Sequence, residues 1–123
     1  MNDFLRKVPL LADLPDADLA LLRSMSEEVR LPAGQTLFKE GSAGDKAYVI
    51  ESGEVEVVKE ASGREVLLSV RTPGDVVGEM ALLEDIPRTA TVRARSDALL
   101  LALSKQQLET LLSTSHSAAQ ALF

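Results

Sequence analysis

The chain has 123 residues, of which 46% are hydrophobic and 26% are charged, and its formal net charge is −6. This length and composition are typical of one soluble globular domain, and the absence of cysteine excludes disulfides, thiolate catalysis and cysteine-based zinc sites. The acidic charge argues against nucleic acid binding by this chain alone, because duplex binding depends on basic patches, although one well-placed cation can still bind a small anion.

Residues 1–28 are predicted to be helical. Pro15 suits the first turn of a helix, and the carboxylates of Asp16 and Asp18 suit the positive end of its dipole. The apolar residues that follow have helical spacing: Leu19, Leu22 and Met25.

Residues 29–103 change to a β pattern in which all seven glycines of the chain punctuate short runs of alternating or β-branched residues. These runs are 47–50, 55–58, 66–70 and 91–95. Turn signals about every ten residues predict an antiparallel sandwich, barrel or roll rather than βαβ units. The alternation in 55–58 and 91–95 is that of strands with one face on a core and one in water.

From Ser104 the pattern is helical again. Ser104 and Gln107 have the spacing of a capping box, and an apolar stripe follows, formed by Leu108, Leu111, Leu112, Ala119 and Leu122. We predict one mainly β domain over 1–123. It consists of N-terminal helices (1–28), an antiparallel, jelly-roll-like β-roll (29–103) and a C-terminal helix (104–123).

No apolar stretch approaches the roughly 20 residues that a membrane-spanning helix needs. The longest, around Ala98–Leu103, is about the length of a buried strand. The first four residues, Met1–Phe4, lack the basic-then-apolar layout of a signal peptide. We therefore expect a cytoplasmic protein without membrane insertion.

The residue inventory argues against an enzyme. His116 is the only histidine, whereas the metalloenzymes that share this β pattern need several histidines on the roll. The single histidine and the absence of cysteine also argue against Ser-His-Asp and Cys-His nucleophiles. The adjacent acids Glu27–Glu28 and Glu84–Asp85 are typical of solvated turns and helix ends. We predict no catalytic residue and no metal site.

One segment, 74–92, interrupts the rhythm of the strands. Gly78 precedes five residues of good helix-forming character, and the first backbone N–H groups of a short helix form a ready anion site. Arg88 follows ten residues after Gly78, so the chain can turn at Pro87 and direct the guanidinium back. Its planar fork matches two phosphate oxygens, and we expect it on the surface of the roll.

Glu79, beside this glycine, offers a carboxylate that can accept hydrogen bonds from a sugar hydroxyl. The small side chains of Ala81 and Ala90 leave room for a ligand. The spacing alone is equally compatible with a structural ion pair between Glu79 and Arg88, with Gly78 serving only as a turn. Both interpretations stay open at this point.

Gly78–Leu83 followed by Pro87–Val92 closely resembles the phosphate-binding cassette of the cyclic nucleotide-binding domain family. That family includes the bacterial catabolite activator protein, the regulatory subunits of protein kinase A and cyclic-nucleotide-gated channels. The resemblance covers nearly the whole chain, because it extends upstream to residues 32–35, 40–41, 45–50 and 52–55.

The resemblance implies cAMP or cGMP as the ligand and a β-roll as the fold. Glu79 would accept a hydrogen bond from the ribose 2′-hydroxyl, and Arg88 would pair with the cyclic phosphate. The Thr89 hydroxyl would reach a phosphate oxygen or the 2-amino group of a syn guanine. The complete set of implied ligand-binding residues is Gly78, Glu79, Met80, Ala81, Arg88, Thr89 and Ala90.

Two positions depart from the family pattern. Val77 stands where an aromatic residue usually precedes the cassette glycine. A residue of the C-terminal helix often caps the base in this family; here either Phe123 has that role or the cap is missing.

The expected function is that of a regulatory sensor in which the ligand repacks the C-terminal helix. We see no output domain in this sequence, so we expect an output domain or partner protein outside it, and a homodimer stays open. Three alternatives remain. The chain is the sensor half of a transcription regulator whose DNA-binding domain is absent, a degenerate domain that serves protein–protein interaction, or a jelly-roll enzyme. The retained Glu79 and Arg88 argue against the second, and the missing histidines against the third.

Overall fold

Two four-stranded antiparallel sheets form the body of the protein. The computed structural model describes residues 3–8, 11–12, 14–44, 46–78 and 87–107. The helices are α1 (Asp3–Arg6) and α2 (Asp16–Met25). The strands are β1 (Glu27–Leu31), β2 (Thr36–Phe38), β3 (Lys46–Ser52), β4 (Val55–Ala61), β5 (Arg64–Arg71), β6 (Val76–Val77), β7 (Thr91–Ala94) and β8 (Ala98–Ser104). The sheet orders are β1-β8-β3-β6 and β2-β7-β4-β5.

The two sheets pack against each other around one apolar core. Ile50 and Leu100 reach this core from the first sheet, and Val55 and Val92 reach it from the second. All four side chains are at most 2% exposed, so the space between the sheets is filled. The antiparallel β architecture predicted from the glycine-bounded runs is therefore confirmed.

The helical N-terminal segment covers the outer face of the first sheet. Leu19 and Leu22 of α2 are fully buried and belong to one apolar cluster with Val49 of β3 and Leu101 of β8. The first sheet is thus apolar on both faces, which explains why β8 is a nearly continuous apolar strand. The predicted helical stripe of α2 is confirmed, and Pro15 immediately precedes the helix. None of the helices in the described part of the chain has the length and apolar character needed to cross a bilayer.

Two strand details differ from the sequence-based expectation. β1 begins at Glu27, two residues before the expected boundary at residue 29. The simple alternation expected over 55–58 does not hold, because both Val55 and Val58 are buried. The register between β4 and β5 shifts between Val57 and Val58, and such an irregularity changes which face the next side chain occupies. In β7 the expected alternation is confirmed.

The start of the C-terminal helical segment is held by the predicted capping box. The Gln107 backbone N–H donates to Ser104 Oγ at 3.0 Å, and Gln107 Oε1 accepts from the Ser104 N–H at 2.8 Å. Residues 105–107 are helical. The rest of the predicted helix, 108–123, lies outside the described residues.

Candidate functional site

Arg88 lies where the edges of the two sheets meet. β2 and β7 pair Phe38 with Val92, and beyond this pair Gly41 and Ser42 both lie opposite Arg88. The Arg88 N–H donates to the Ser42 carbonyl at 2.8 Å, and the Gly41 N–H donates to the Arg88 carbonyl at 2.7 Å. The backbone at residue 88 is therefore fixed on the turn that follows β2.

The first sheet supplies the other side of the site. β3 and β6 pair Tyr48 with Val77, and just beyond the same end of this pair Gly78 lies close to the Lys46 carbonyl. The Arg88 guanidinium reaches across to both of them. Nη2 donates to the Lys46 carbonyl at 2.8 Å, and Nη1 donates to the Gly78 carbonyl at 3.2 Å.

An aromatic ring completes the surroundings of the guanidinium. Arg88 Cζ lies 4.0 Å from the centroid of the Phe38 ring, within the range of a cation–π contact. The Phe38 ring is itself 6.1 Å from the ring of Tyr48 and packs partly against the core. The arginine therefore rests on a ring that is fixed by the fold.

Arg88 is buried, with only 8% of its surface exposed, which corrects the expectation that it lies on the surface of the roll. The physical reason is that two carbonyl groups and an aromatic ring from both sheets enclose the guanidinium. Its Nε is also buried and has no hydrogen-bond partner among the described residues. Within that part of the chain, none of the ion pairs includes Arg88.

Such an arrangement favours an anion. A cation removed from water is costly unless an anion and hydrogen bonds compensate it, and two backbone carbonyls supply only partial negative charge. Arginine has five N–H donors, and among the described residues only two polar contacts satisfy them. The site can therefore bind a carboxylate or a phosphate.

Gly78 is required here for two reasons. Its φ of +76° lies in the left-handed region that favours glycine. A Cβ atom at this position would also lie 2.5 Å from Arg88 Nη1 and 3.3 Å from the Phe38 ring. The glycine predicted to open the anion site therefore lies against the arginine.

The remaining predicted residues divide into two groups. Thr89 is exposed and Ala90 is buried, and both directly follow Arg88. Glu79, Met80, Ala81 and Phe123 lie outside the described residues. The structure therefore brings Gly78 and Arg88 together and leaves the position of Glu79 relative to Arg88 a prediction.

Three groups that surround Arg88 were not predicted from the sequence: the Phe38 ring, the Lys46 carbonyl and Gly44. A Cβ atom at Gly44 would overlap Nε, Cζ and Nη2 of Arg88. Phe38 shows in the sequence as an ordinary strand residue, and Gly44 as one of seven turn signals. The sequence carries no signal that separates them from other strand and turn residues.

Comparisons with known proteins agree with this geometry. Residues 28–115 match the profile of the family described as cyclic nucleotide-binding domain. The chain is 38% identical over 109 residues to a cAMP-dependent protein kinase regulatory subunit of Emericella nidulans, covering 89% of this chain and 26% of that protein. The chain thus spans about a quarter of the length of that relative.

Solved structures give the same result. The N-terminal domain of a transcriptional regulator from Streptomyces coelicolor A3(2) superposes with a TM-score of 0.91 at 41% identity, covering 98% of this chain and 85% of that one. The regulatory domain of Toxoplasma gondii PKA, determined with cAMP, superposes with a TM-score of 0.81 at 33% identity, covering 89% of this chain and 42% of that one. The family profile matches well over half of the residues, including the segment that contains Gly78 and Arg88. This chain belongs to the cyclic nucleotide-binding domain family.

Proposed function

We propose that this chain binds a cyclic nucleotide monophosphate, cAMP or cGMP, and acts as the sensor module of a regulatory system. Arg88 binds the cyclic phosphate, and Glu79 accepts a hydrogen bond from the ribose 2′-hydroxyl. Backbone N–H groups in the segment from Gly78 to Ala90 complete the shell around the phosphate. The chain itself catalyses no reaction.

The buried guanidinium of Arg88 carries this proposal. It has an Nε–H without a partner among the described residues, and its two other contacts there are to neutral carbonyls. A phosphate supplies both the missing charge and the paired oxygens that a guanidinium binds best. A carboxylate outside the described residues, such as that of Glu79 or Asp45, is the alternative anion, and nucleotide titration distinguishes it from a phosphate ligand.

The regulatory step follows from a difference in affinity between two arrangements of the protein. A ligand shifts such an equilibrium only if it binds one arrangement more tightly. In our proposal that arrangement has the C-terminal helix, 104–123, packed over the base, with Phe123 as the candidate cap. The output lies in another domain or a partner protein, since the relatives include a kinase regulatory subunit and a transcriptional regulator.

The direct test is a calorimetric titration of the chain with cAMP and with cGMP, repeated for Arg88→Ala. Truncating one member of a buried charged pair typically costs about 2–5 kcal/mol, so both nucleotides should bind at least about thirtyfold more weakly to the variant. Hydrogen exchange over residues 108–123 should also slow when nucleotide is added, if the C-terminal helix packs over the base.

Matched variants separate binding from folding. Arg88→Ala removes the donor from the Gly78 and Lys46 carbonyls, so its thermal unfolding must be measured beside its affinity. Arg88→Lys keeps the charge without the planar fork and should bind with intermediate affinity. Arg95→Ala removes an exposed arginine and should bind as the wild type does. Unchanged affinity in a folded Arg88→Ala protein would assign Arg88 to a structural ion pair, and no binding by the wild type would favour a degenerate domain.

A further inference from the structure

Gly44 differs from every other glycine of the chain. The other six, at positions 34, 41, 53, 63, 74 and 78, all have positive φ between 76° and 93° and so adopt a backbone that favours glycine. Gly44 has no such φ, so its backbone conformation is open to alanine. A different reason must account for the missing side chain.

That reason is the guanidinium of Arg88. The position of a Cβ atom at residue 44 coincides with three atoms of Arg88, namely Nε, Cζ and Nη2. These atoms belong to the group that donates to the Lys46 and Gly78 carbonyls and contacts the Phe38 ring. The space beside Gly44 is therefore filled by the arginine, and a methyl group cannot share it.

We propose that Gly44 and Phe38 are positioning residues for Arg88, with Gly44 acting through the space it leaves and Phe38 through its ring. This inference rests on the proposed function, because it assigns how the phosphate-binding group is oriented. A planar guanidinium binds two phosphate oxygens only when two of its N–H groups point at them together, so a small displacement can remove one of the two hydrogen bonds.

The proposal predicts that affinity and stability separate in Gly44→Ala. The atoms that must move belong to the end of a flexible side chain rather than to the backbone, so the fold should persist. Alanine at a compatible backbone position also reduces the freedom of the unfolded chain, which offsets part of the stability lost when the guanidinium leaves its two carbonyl partners. The affinity for cAMP and cGMP should fall by the same factor, at least about tenfold, because both ligands carry the same phosphate.

Gly34→Ala is the matched control with the opposite outcome. Gly34 has a φ of +84°, and nothing lies within 4 Å of the position that its Cβ would occupy. Alanine there should lower the midpoint of thermal unfolding through backbone strain and leave both nucleotide affinities unchanged.

A double-mutant cycle tests whether Gly44 and Phe38 act through Arg88. Affinities of wild type, Gly44→Ala, Arg88→Ala and the double variant are measured by competition against a fluorescent cyclic nucleotide. Gly44→Ala should have no further effect once the guanidinium is gone, because the two changes remove the same interaction. Phe38→Leu keeps an apolar side chain but lacks the ring. In the wild-type background it should weaken nucleotide binding about two- to thirtyfold, and in the Arg88→Ala background it should have no effect.

The outcomes are distinguishable. The positioning role is overturned if Gly44→Ala binds nucleotide as tightly as the wild type. It is also overturned if Gly44→Ala lowers the affinity by the same factor in the wild-type and Arg88→Ala backgrounds. Both results leave the proposed function intact. A wild-type protein that binds neither nucleotide overturns the proposed function and this inference with it.

Discussion

Arg88 is a charged residue that is buried between the two sheets. Among the described residues no carboxylate hydrogen-bonds to the buried Arg88, although the desolvation of a cation is normally offset by an anion. Here two backbone carbonyls and the Phe38 ring offset part of that cost among the described residues. In the proposed function, a phosphate uses the N–H donors of Arg88 that remain.

Thr89, the next residue, is exposed and gives a test of base selectivity. A neutral hydrogen bond that its hydroxyl oxygen accepts from the 2-amino group of guanine is worth about 0.5–1.5 kcal/mol, or about two- to tenfold in affinity. Thr89→Ala should therefore weaken cGMP more than cAMP, whichever binds better at first, because adenine has no 2-amino group. Titration of both nucleotides into both proteins measures the change in ratio and cancels the shared phosphate contribution.

Thr89→Ser is the matched control, since it keeps the hydroxyl and should keep the ratio of the two affinities. Equal weakening of cAMP and cGMP by Thr89→Ala would mean that the hydroxyl contacts only the phosphate. Base choice would then depend on other residues.

At the scale of elements, the capping box at Ser104 joins three parts of the fold. Ser104 ends β8, Gln107 lies in the first turn of the following helical segment, and its Nε2 donates to the carbonyl of Met25 at the end of α2. One side chain thus connects the N-terminal helices, the first sheet and the start of the C-terminal segment. In the proposed mechanism, this connection fixes the end about which the rest of that segment repacks.

Replacing Gln107 tests the connection. Gln107→Ala removes the cap and the bond to Met25, and loss of a capping interaction costs about 0.5–2 kcal/mol of unfolding free energy. Gln107→Glu keeps an acceptor for the Ser104 N–H but lacks the donor for Met25, so it should lose only part of that stability. Urea denaturation measures both.

The exposed neighbour Lys105 provides the reference, because Lys105→Ala should change the unfolding free energy by no more than about 0.5 kcal/mol. Equal stabilities of Gln107→Ala and Lys105→Ala would show that the capping box and its bond to α2 contribute nothing measurable.

At the scale of the whole molecule, Arg88 is a buried cation in a chain of net negative charge, and no other charged side chain of the described residues is buried. The net charge of −6 opposes approach to a polyanion, whereas a small cyclic phosphate needs only the local field around Arg88. We expect no measurable affinity of this chain for duplex DNA at physiological salt, with or without cyclic nucleotide. A gel shift that weakens as salt is raised would contradict this expectation.

The sequence by itself determined the elements and the local chemistry. Turn glycines, β-branched runs and the helical spacing of Leu19 and Leu22 depend on neighbours a few residues apart, so their pattern is visible along the chain. The capping box at Ser104 and the ten-residue spacing from Gly78 to Arg88 are likewise visible along the chain, because each lies within a short stretch of sequence. The register shift at Val57 escaped prediction, because a bulge depends on the partner strand.

Only the tertiary structure decided what surrounds the arginine. Phe38, Gly44 and Lys46 precede Arg88 by more than forty residues, and the pairing of β2 with β7 and of β3 with β6 brings them to it. Arg88 is buried because these strand pairings bring the edges of the two sheets together around it. No pattern of neighbouring residues in the sequence predicts that contact. The role of Gly44 is the least visible in the sequence, because a glycine that leaves space for a distant side chain has the same letter as one that allows a turn.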